Sequence, residues 1–388
     1  MQLVLSDAQY WEDFLPLTFT KPVAEMRMGI LSFSERWQKL LETEEIYYIT
    51  EDYLQEKFKK PEPKQSLFLV PNFFPSENVL KQIKNLQSGE ALVYENEVIA
   101  ANVNMQDFSL NQISKMTNIN EKLLFIEKPT DIFTFNDKAI DFDFQLITKD
   151  RDSQELSPTN GFIGDRENLF IEKDAIVEYS TLNCKTGKIY IGKNAEIMEG
   201  SNIRGSLALC ENSKINLGTK LYGGTTVGPY SKVGGEINNV VIFGFSNKSH
   251  DGFVGNSVIG EWCNLGADTN SSNLKNNYGM VKLWNYKQKI FLDTNLQFCG
   301  MIMGDHSKTA INTQFNTGTV VGVAANIFKF GFPPTLVENF SWGGMKGDEK
   351  FKLEKSFEAI KKAMDRRKIT LTEEDKNILR FIYNQDNQ

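Results

Sequence analysis

From Ile191 to Val233 an aliphatic residue recurs at every sixth position: Ile191, Ile197, Ile203, Leu209, Ile215, Leu221, Val227 and Val233. An amphipathic helix repeats its apolar positions every three or four residues and a strand every two. A step of six fits neither, nor does a sandwich or jelly roll of alternating strands produce it. It fits a triangular coil in which each hexapeptide makes one flat side and turns one corner, with the aliphatic side chain pointing inward. Gly192, Gly218, Gly228 and Gly234 fall near the corners, where small residues relieve crowding. The period therefore predicts a left-handed parallel β-helix of hexapeptide repeats over residues 167–332. Ile171 and Val177 suggest its first coil, and Met303, Thr309, Phe315, Val321 and Ile327 resume the step. Two stretches break it, 238–253 and 271–300. In a solenoid such breaks are expected to be loops thrown out from one face, where chemistry tends to sit.

The pattern on either side is different. Across residues 1–150, short β-like runs (Leu3–Leu5, Ile46–Thr50, Leu67–Val70, Ala91–Tyr94, Leu123–Ile126) alternate with helix-like segments at Ser32–Thr43 and Glu77–Leu86, which predicts a layered α/β domain. Residues 151–166 are polar and turn-rich, a linker. Pro333-Pro334 is expected to end the coil. Residues 333–388 form a tail with two helices, near 349–367 and 373–384.

Charge and composition narrow the function. A net charge of −7 gives no electrostatic case for nucleic acid or an anionic membrane. The basic group Lys361, Lys362, Arg366, Arg367 and Lys368 has helical spacing and reads as a solvated helix face, with a binding patch as the alternative. No run of 18 apolar residues and no signal peptide is evident, so a cytoplasmic location is expected. Cys184, Cys210, Cys263 and Cys299 are far apart, with two histidines in the whole chain, which points to reduced thiols rather than a zinc site.

Three segments could carry chemistry. His250 closes the first break, ahead of Asp251-Gly252-Phe253-Val254-Gly255, Asn264-Leu265-Gly266-Ala267 and Asn273. A loop histidine beside a groove is a candidate general base, and a surface histidine bonded to a carbonyl is the alternative. His306, in Gly304-Asp305-His306-Ser307-Lys308, lies within a regular hexapeptide and is a second candidate, or a structural histidine at a corner or subunit contact. Lys21, in Thr20-Lys21-Pro22 after the first strand, is placed to meet phosphates, or it is part of an ordinary turn. No Walker loop and no G-x-G-x-x-G is found.

These segments resemble the bifunctional bacterial enzymes that combine N-acetylglucosamine-1-phosphate uridylyltransferase with glucosamine-1-phosphate N-acetyltransferase, in a divergent, GlmU-like branch. The resemblance is carried by residues 16–30 (PLTFTKPVAEMRMGI), 203–215, 225–236, 246–279, 304–322 and 340–344 (FSWGG). It implies a nucleotidyltransferase-like, Rossmann-like first domain, a β-helix acyltransferase domain, acetyl-CoA as cosubstrate and a homotrimer with the coenzyme between neighbouring β-helices, residues 311–322 forming its wall. By the same resemblance His250 is the acetyl-transfer base, Asn264 lies near the sugar phosphate and Asn273 near the acetyl group. Lys21 would contact a phosphate. Phe253 stands where the family has a sugar-contacting tyrosine, and Asn238 where it has a phosphate-binding lysine. The family's glycine-rich loop is replaced by residues 6–14. Its metal-binding aspartate is matched by Pro71-Asn72-Phe73, so Mg2+ has no assignable ligand.

The expected activity is acetyl transfer from acetyl-CoA to glucosamine 1-phosphate, joined to UTP-dependent nucleotidyl transfer for UDP-N-acetylglucosamine synthesis, a precursor of the cell envelope. The alternatives are a non-catalytic nucleotide-sugar-binding protein, and a nucleotidyltransferase for another sugar with a silent acyl site.

Overall fold

The computed structural model describes residues 2–106 and 109–385. The amino-terminal domain is built on a six-stranded sheet in the order 46–49, 2–6, 65–69, 97–104, 90–94, 115–118. The first three strands are parallel and the fourth runs antiparallel. Helices Phe33–Leu41 and Glu77–Lys84 start where Ser32 and Ser76 cap them, Ser32 in a full capping box with Glu35. Their apolar faces bury Trp37, Leu40, Val79 and Ile83 against Leu3, Leu5, Leu67 and Leu69. A further helix, Asn136–Thr148, lies against the β-helix and is not marked by the sequence pattern used above.

The six-residue period is a true coil. Ile191 pairs with Leu209 and Leu209 with Val227 in parallel register, so successive coils advance 18 residues, three hexapeptides each. The first face carries Ile189–Ile191, Leu207–Leu209 and Thr225–Val227. The second carries Glu196–Ile197, Lys214–Ile215 and Lys232–Val233, and the third Asn202–Arg204 and Lys220–Tyr222. Inward aliphatic residues of all three faces form one continuous core from Leu169 to Val337.

The expectation that both breaks leave the coil needs correction. Residues 238–253 do not leave the coil. Glu236–Gly244 is one unbroken strand that runs from the third face onto the first, paired along Phe253–Glu261. The corner is shortened: Val227 pairs with Ile242 and Val233 with Lys248, three residues sooner than usual. The pattern fails there because a corner is contracted and because a lysine takes the inward position. The second break does leave the coil. It forms an antiparallel hairpin, Lys282–Asn285 with Ile290–Asp293, that reaches the amino-terminal domain, where Tyr286 packs edge-on against Phe19 at 5.3 Å and Lys287 lies 3.4 Å from Asp13. It serves docking.

The ladder also runs past the expected limits. Gly161–Ile163 pairs with Thr181–Asn183, inside the stretch assigned to the linker. Leu336–Val337 and Trp342–Gly343 continue beyond Pro333-Pro334. The prolines occupy a corner, where no ladder N–H is needed, and polar corner residues hide the period at both ends.

The domains share a core. Outward residues of the first face, Val241, Phe243, Val258, Ile302 and Val320, are buried with Val4, Phe14, Met26, Met28 and Phe68. Helices Leu353–Asp365 and Glu373–Gln385 close the junction, packing Phe357, Ile360 and Ile378 with Phe340 of the coil and Leu15 and Leu54 of the first domain. Tyr53 stacks on Phe381 at 4.0 Å. Of the basic group on the first of these helices, Lys361 pairs with Asp365 and Arg367 donates to the Tyr230 carbonyl at 3.0 Å.

Candidate functional sites

His250 sits at the corner between the second and third faces, in the short connection from Asn247–Lys248 to Phe253–Glu261. Its imidazole is exposed. Every carbonyl around it is tied down. Asn216 Nδ2 donates to Ser249 O at 2.8 Å, and Lys248 Nζ donates to His250 O and, at 2.9 Å, to Asp251 O. The corner is a rigid mount for a solvent-facing ring. Asn264 stands on the next coil of the second face, bridged to Asn247, with its side chain exposed. Those two residues therefore share one side of the solenoid.

Asn273 is elsewhere. It lies beyond the third face, at the corner with the first, and its Nδ2 donates to Asn256 Oδ1 at 2.8 Å. Asn256 donates in turn to Asn239, whose amide reaches the Phe133 and Gly224 carbonyls. This asparagine ladder follows a corner, with Asn239 and Asn256 in the left-handed region where asparagine is favoured. Within one chain Asn273 does not face His250. Phe253 opens the third face and is half-buried, its N–H bonded to Asn270 Oδ1. Asn238 ends the same face one coil earlier.

His306 belongs to another corner, between the first and second faces. There Tyr230, Phe245, Trp262 and His306 take left-handed φ on successive coils and stack in a column. The ring centroids are 5.2, 4.3 and 6.5 Å apart and nearly parallel. Burial first, and then the nearby Lys308 and Lys21 charges, push the His306 pKa down to about 3. A base that weak is a poor acceptor at neutral pH.

Lys21 is not free to meet a phosphate. Its Nζ lies 2.8 Å from Glu261 Oε2 and 2.9 Å from Asp305 Oδ2, and the residue is 4% exposed. Thr20 Oγ1 donates to Asp305 at 2.6 Å, and Asp305 Oδ1 accepts the Glu261 N–H at 2.8 Å. Gly260 permits this approach: a Cβ there would come 2.3 Å from Asp305 Oδ1. Burial alone would lower the Lys21 pKa, but Asp305 and Glu261 more than offset it and hold the ammonium above the ordinary lysine range. Further along the same segment, Arg27 Nε donates to Phe243 O of the β-helix at 3.1 Å, and its other arm pairs with Glu35. Arg36, fully buried, clasps Asp143 at 2.7 and 3.0 Å. Residues 16–36 thus form the joint between the domains.

The space beside Lys21 is acidic. Cavities of about 560 and 410 Å3 flank the joint, both bordered by Glu25, Phe245 and Glu261. The larger adds Glu35, Glu44 and Glu211 against one arginine, Arg27, a lining ill suited to a triphosphate. Asp7, at the end of the first strand, accepts the Val23 N–H at 2.8 Å and the Thr50 hydroxyl. Burial lifts its pKa to about 7 against the pull of those two bonds. Mg2+ finds no fit at the position matching the metal aspartate. Asn72 is fully buried there, its Nδ2 bonded to Ile126 O at 2.6 Å, and no cluster of three potential ligands occurs among the described residues. All four cysteines are free and buried. No helix of the described residues is long and apolar enough to cross a membrane.

Residues 3–152 match the family described as "Sugar nucleotidyl transferase". A "Bifunctional protein GlmU" of Methanocaldococcus jannaschii is 37% identical over 87 residues, 22% of this chain and 21% of that protein. Parts of this chain are thus similar to sugar nucleotidyl transferases and to that GlmU protein. A "Bifunctional sugar-1-phosphate nucleotidylyltransferase/acetyltransferase" of Sulfurisphaera tokodaii is 31% identical to this chain over 144 residues, 37% of it and 35% of the relative. These matches span from about a fifth to about a third of the relatives' own lengths. Two solved structures also align. One is a hexapeptide transferase family protein from Anaplasma phagocytophilum, 14% identical, covering 58% of this chain and 92% of that one, with a TM-score of 0.17. The other is a variant of AntD, an N-acyltransferase from Bacillus cereus, in complex with dTDP and coenzyme A; it is 16% identical, covers 52% and 91%, and has a TM-score of 0.21. At those scores the superpositions add nothing to the coil already described.

The motifs assign no role to Asp305, Glu261, Lys248 or Asp7. Lys248 had a signal, a charge at a position where the coil wants an aliphatic residue. Asp305 and Glu261 had none, because their partner is over 200 residues away.

Proposed function

We propose that the β-helix transfers an acetyl group from acetyl-CoA to the amine of a sugar phosphate, glucosamine 1-phosphate being the expected acceptor, with His250 as general base. The amine nitrogen attacks the thioester carbonyl, forming the C–N bond as the C–S bond breaks. His250 takes the amine proton, which then passes to the departing thiolate. No covalent enzyme intermediate is required. The observation that carries the proposal is the exposed imidazole of His250 on an immobilised corner of a hexapeptide coil, on the same side of the solenoid as Asn264, while the other histidine is stacked away and held unprotonated. The names of the GlmU and nucleotidylyltransferase/acetyltransferase relatives support the same chemistry. Asn273 cannot join His250 within one chain, so its proposed place near the acetyl group requires a neighbouring copy. That requirement agrees with a homotrimer. Ile311, Asn312, Gln314 and Asn316 are exposed and open to coenzyme, whereas Thr313 and Phe315 point into the coil and Val320 is covered by the first domain.

A second reading, nucleotidyl transfer with UTP and Mg2+ in the amino-terminal domain, is favoured by the family match over residues 3–152. The paired Lys21, the buried Asn72 and the acidic cavity oppose it in this arrangement. The test is incubation with glucosamine 1-phosphate, acetyl-CoA, UTP and Mg2+, following free thiol and pyrophosphate separately. Thiol alone is the expected result. Pyrophosphate without thiol would overturn the proposal in favour of the second reading, and neither product would favour a non-catalytic role.

A further inference from the structure

The second face is lined inwardly by Val177, Ile197, Ile215, Val233, Leu265 and Ile327, with one neutral polar residue, Thr309, yet on the coil that carries the candidate base the inward residue is Lys248. Lys248 is 1% exposed. A lysine inside an aliphatic prism is costly unless its ammonium is satisfied, and here it is satisfied by three carbonyls of the two flanking turns: Gly234 O at 3.3 Å, Asp251 O at 2.9 Å and His250 O. An aliphatic residue would fill the same space without that cost. What it could not do is hold the His250 and Asp251 carbonyls. We infer that Lys248 is a positioning residue, a strut from within the coil that fixes the peptide bearing His250 and so aims its imidazole. The inference rests on His250 being the base. Asn216, two coils back, reaches past Gly234 to Ser249 O and completes the hold. Asp251 and Asp268 are the carboxylates whose charge offsets part of the burial penalty on the Lys248 ammonium, whose pKa burial draws down to about 8. Nothing in the arrangement brings Lys248 to a substrate: its ammonium points at backbone oxygen, not outward.

Lys248→Met tests this, because methionine has nearly the same length, is apolar and suits the inward position. Two readouts separate the strut from the base. The first needs no substrate. Amide hydrogen exchange of the 249–253 segment is expected to speed up at least tenfold in Lys248→Met, with the equivalent 198–201 corner, three coils back, unchanged and the melting temperature equal or higher. Unchanged exchange at 249–253 would overturn the inference. The second is thiol release with glucosamine 1-phosphate and acetyl-CoA. kcat should fall about 10- to 100-fold with little change in KM for acetyl-CoA, since misplacing a catalytic group by about an ångström has that scale of effect. His250→Ala should then add little on the Lys248→Met background, because the two act as one unit. Full multiplicative effects of the two substitutions would contradict the coupling. If His250→Ala alone leaves thiol release intact, the base assignment fails, and the exchange result still decides whether Lys248 holds the corner. Should Lys248→Met lower the melting temperature sharply, Lys248→Leu, with the same readouts, shows whether loss of the charge or poor packing is responsible.

Discussion

Replacing Lys21 by methionine separates a structural joint from a phosphate site. In the protein Lys21 neutralises Asp305, whose side chain is 3% exposed, and Glu261, at 32%. Removing one member of a buried ion pair costs about 3–5 kcal/mol, because the remaining charge is left in a poor solvent. Here the lower end applies. Asp305 keeps the Thr20 hydroxyl and the Glu261 N–H, and Glu261 can turn toward water. A loss of about 3 kcal/mol is therefore expected for Lys21→Met in urea unfolding. Lys21→Met combined with Asp305→Asn should recover more than about 1 kcal/mol of the summed single losses, since contacting residues couple on that scale. The Lys21 pKa is raised on folding, so its contribution is complete below the unfolded lysine value and is lost only as pH rises through the higher folded value. The wild-type-to-mutant difference should accordingly be flat between pH 6 and 9. A loss below about 1 kcal/mol, strict additivity in the double mutant, or normal stability with impaired nucleotide binding would refute the joint and restore Lys21 as a phosphate ligand.

Two other groups give pH signatures of opposite sign. The His306 pKa is lowered on folding, so the stability it contributes is present above the unfolded value near 6.5 and drains as pH falls toward 3. His306→Phe, which keeps the stack on Trp262 at a corner that already accepts Tyr230, Phe245 and Phe340, should abolish about 2 kcal/mol of destabilisation between pH 6.5 and 5, read by thermal melts. The Asp7 pKa is raised to about 7, so its contribution is complete below 3.8 and is lost as pH climbs through 7. Asp7→Asn should remove a downward slope of up to about 1.4 kcal/mol per pH unit between pH 4 and 7; an identical slope in the mutant would show that Asp7 is ionised throughout. Replacing the hairpin residues 282–293 by a short glycine–serine link should leave the coil folded by circular dichroism and loosen the amino-terminal domain, seen as a lower first transition on heating. A single unshifted transition would deny the hairpin its docking role.

The coil was legible because its driving force is local and periodic. An inward aliphatic residue every six positions is demanded by the prism itself, and Ile191 to Val233 state it without interruption. Legibility ended where two demands met in one residue. Lys248 obeys the geometry of the inward position while serving the carbonyls around His250, so the apolar pattern lapsed and the coil was taken for a loop. The Lys21 segment shows a different limit. Lysine before proline at the end of a first strand is compatible with a phosphate contact, and the choice between that and a joint depends on Glu261 and Asp305, brought there by the side-on docking of the solenoid. The position of Asn273 relative to His250 is hidden for a related reason. Nine residues separate it from Asn264 in sequence, but the turn of the coil between them carries it to another corner. His250 stands out in sequence because it closes a lapse in the period, but its exposure is set by the tertiary arrangement, since the other corner histidine, His306, is stacked on Trp262.

The most direct measurement is the rate of thiol release from acetyl-CoA with glucosamine 1-phosphate by the wild type, His250→Gln and His306→Phe. The account predicts turnover by the wild type and by His306→Phe, and a fall of about 10²- to 10⁴-fold in His250→Gln, the range that loss of a general base produces. Equal rates in the wild type and His250→Gln, or loss confined to His306→Phe, would contradict it.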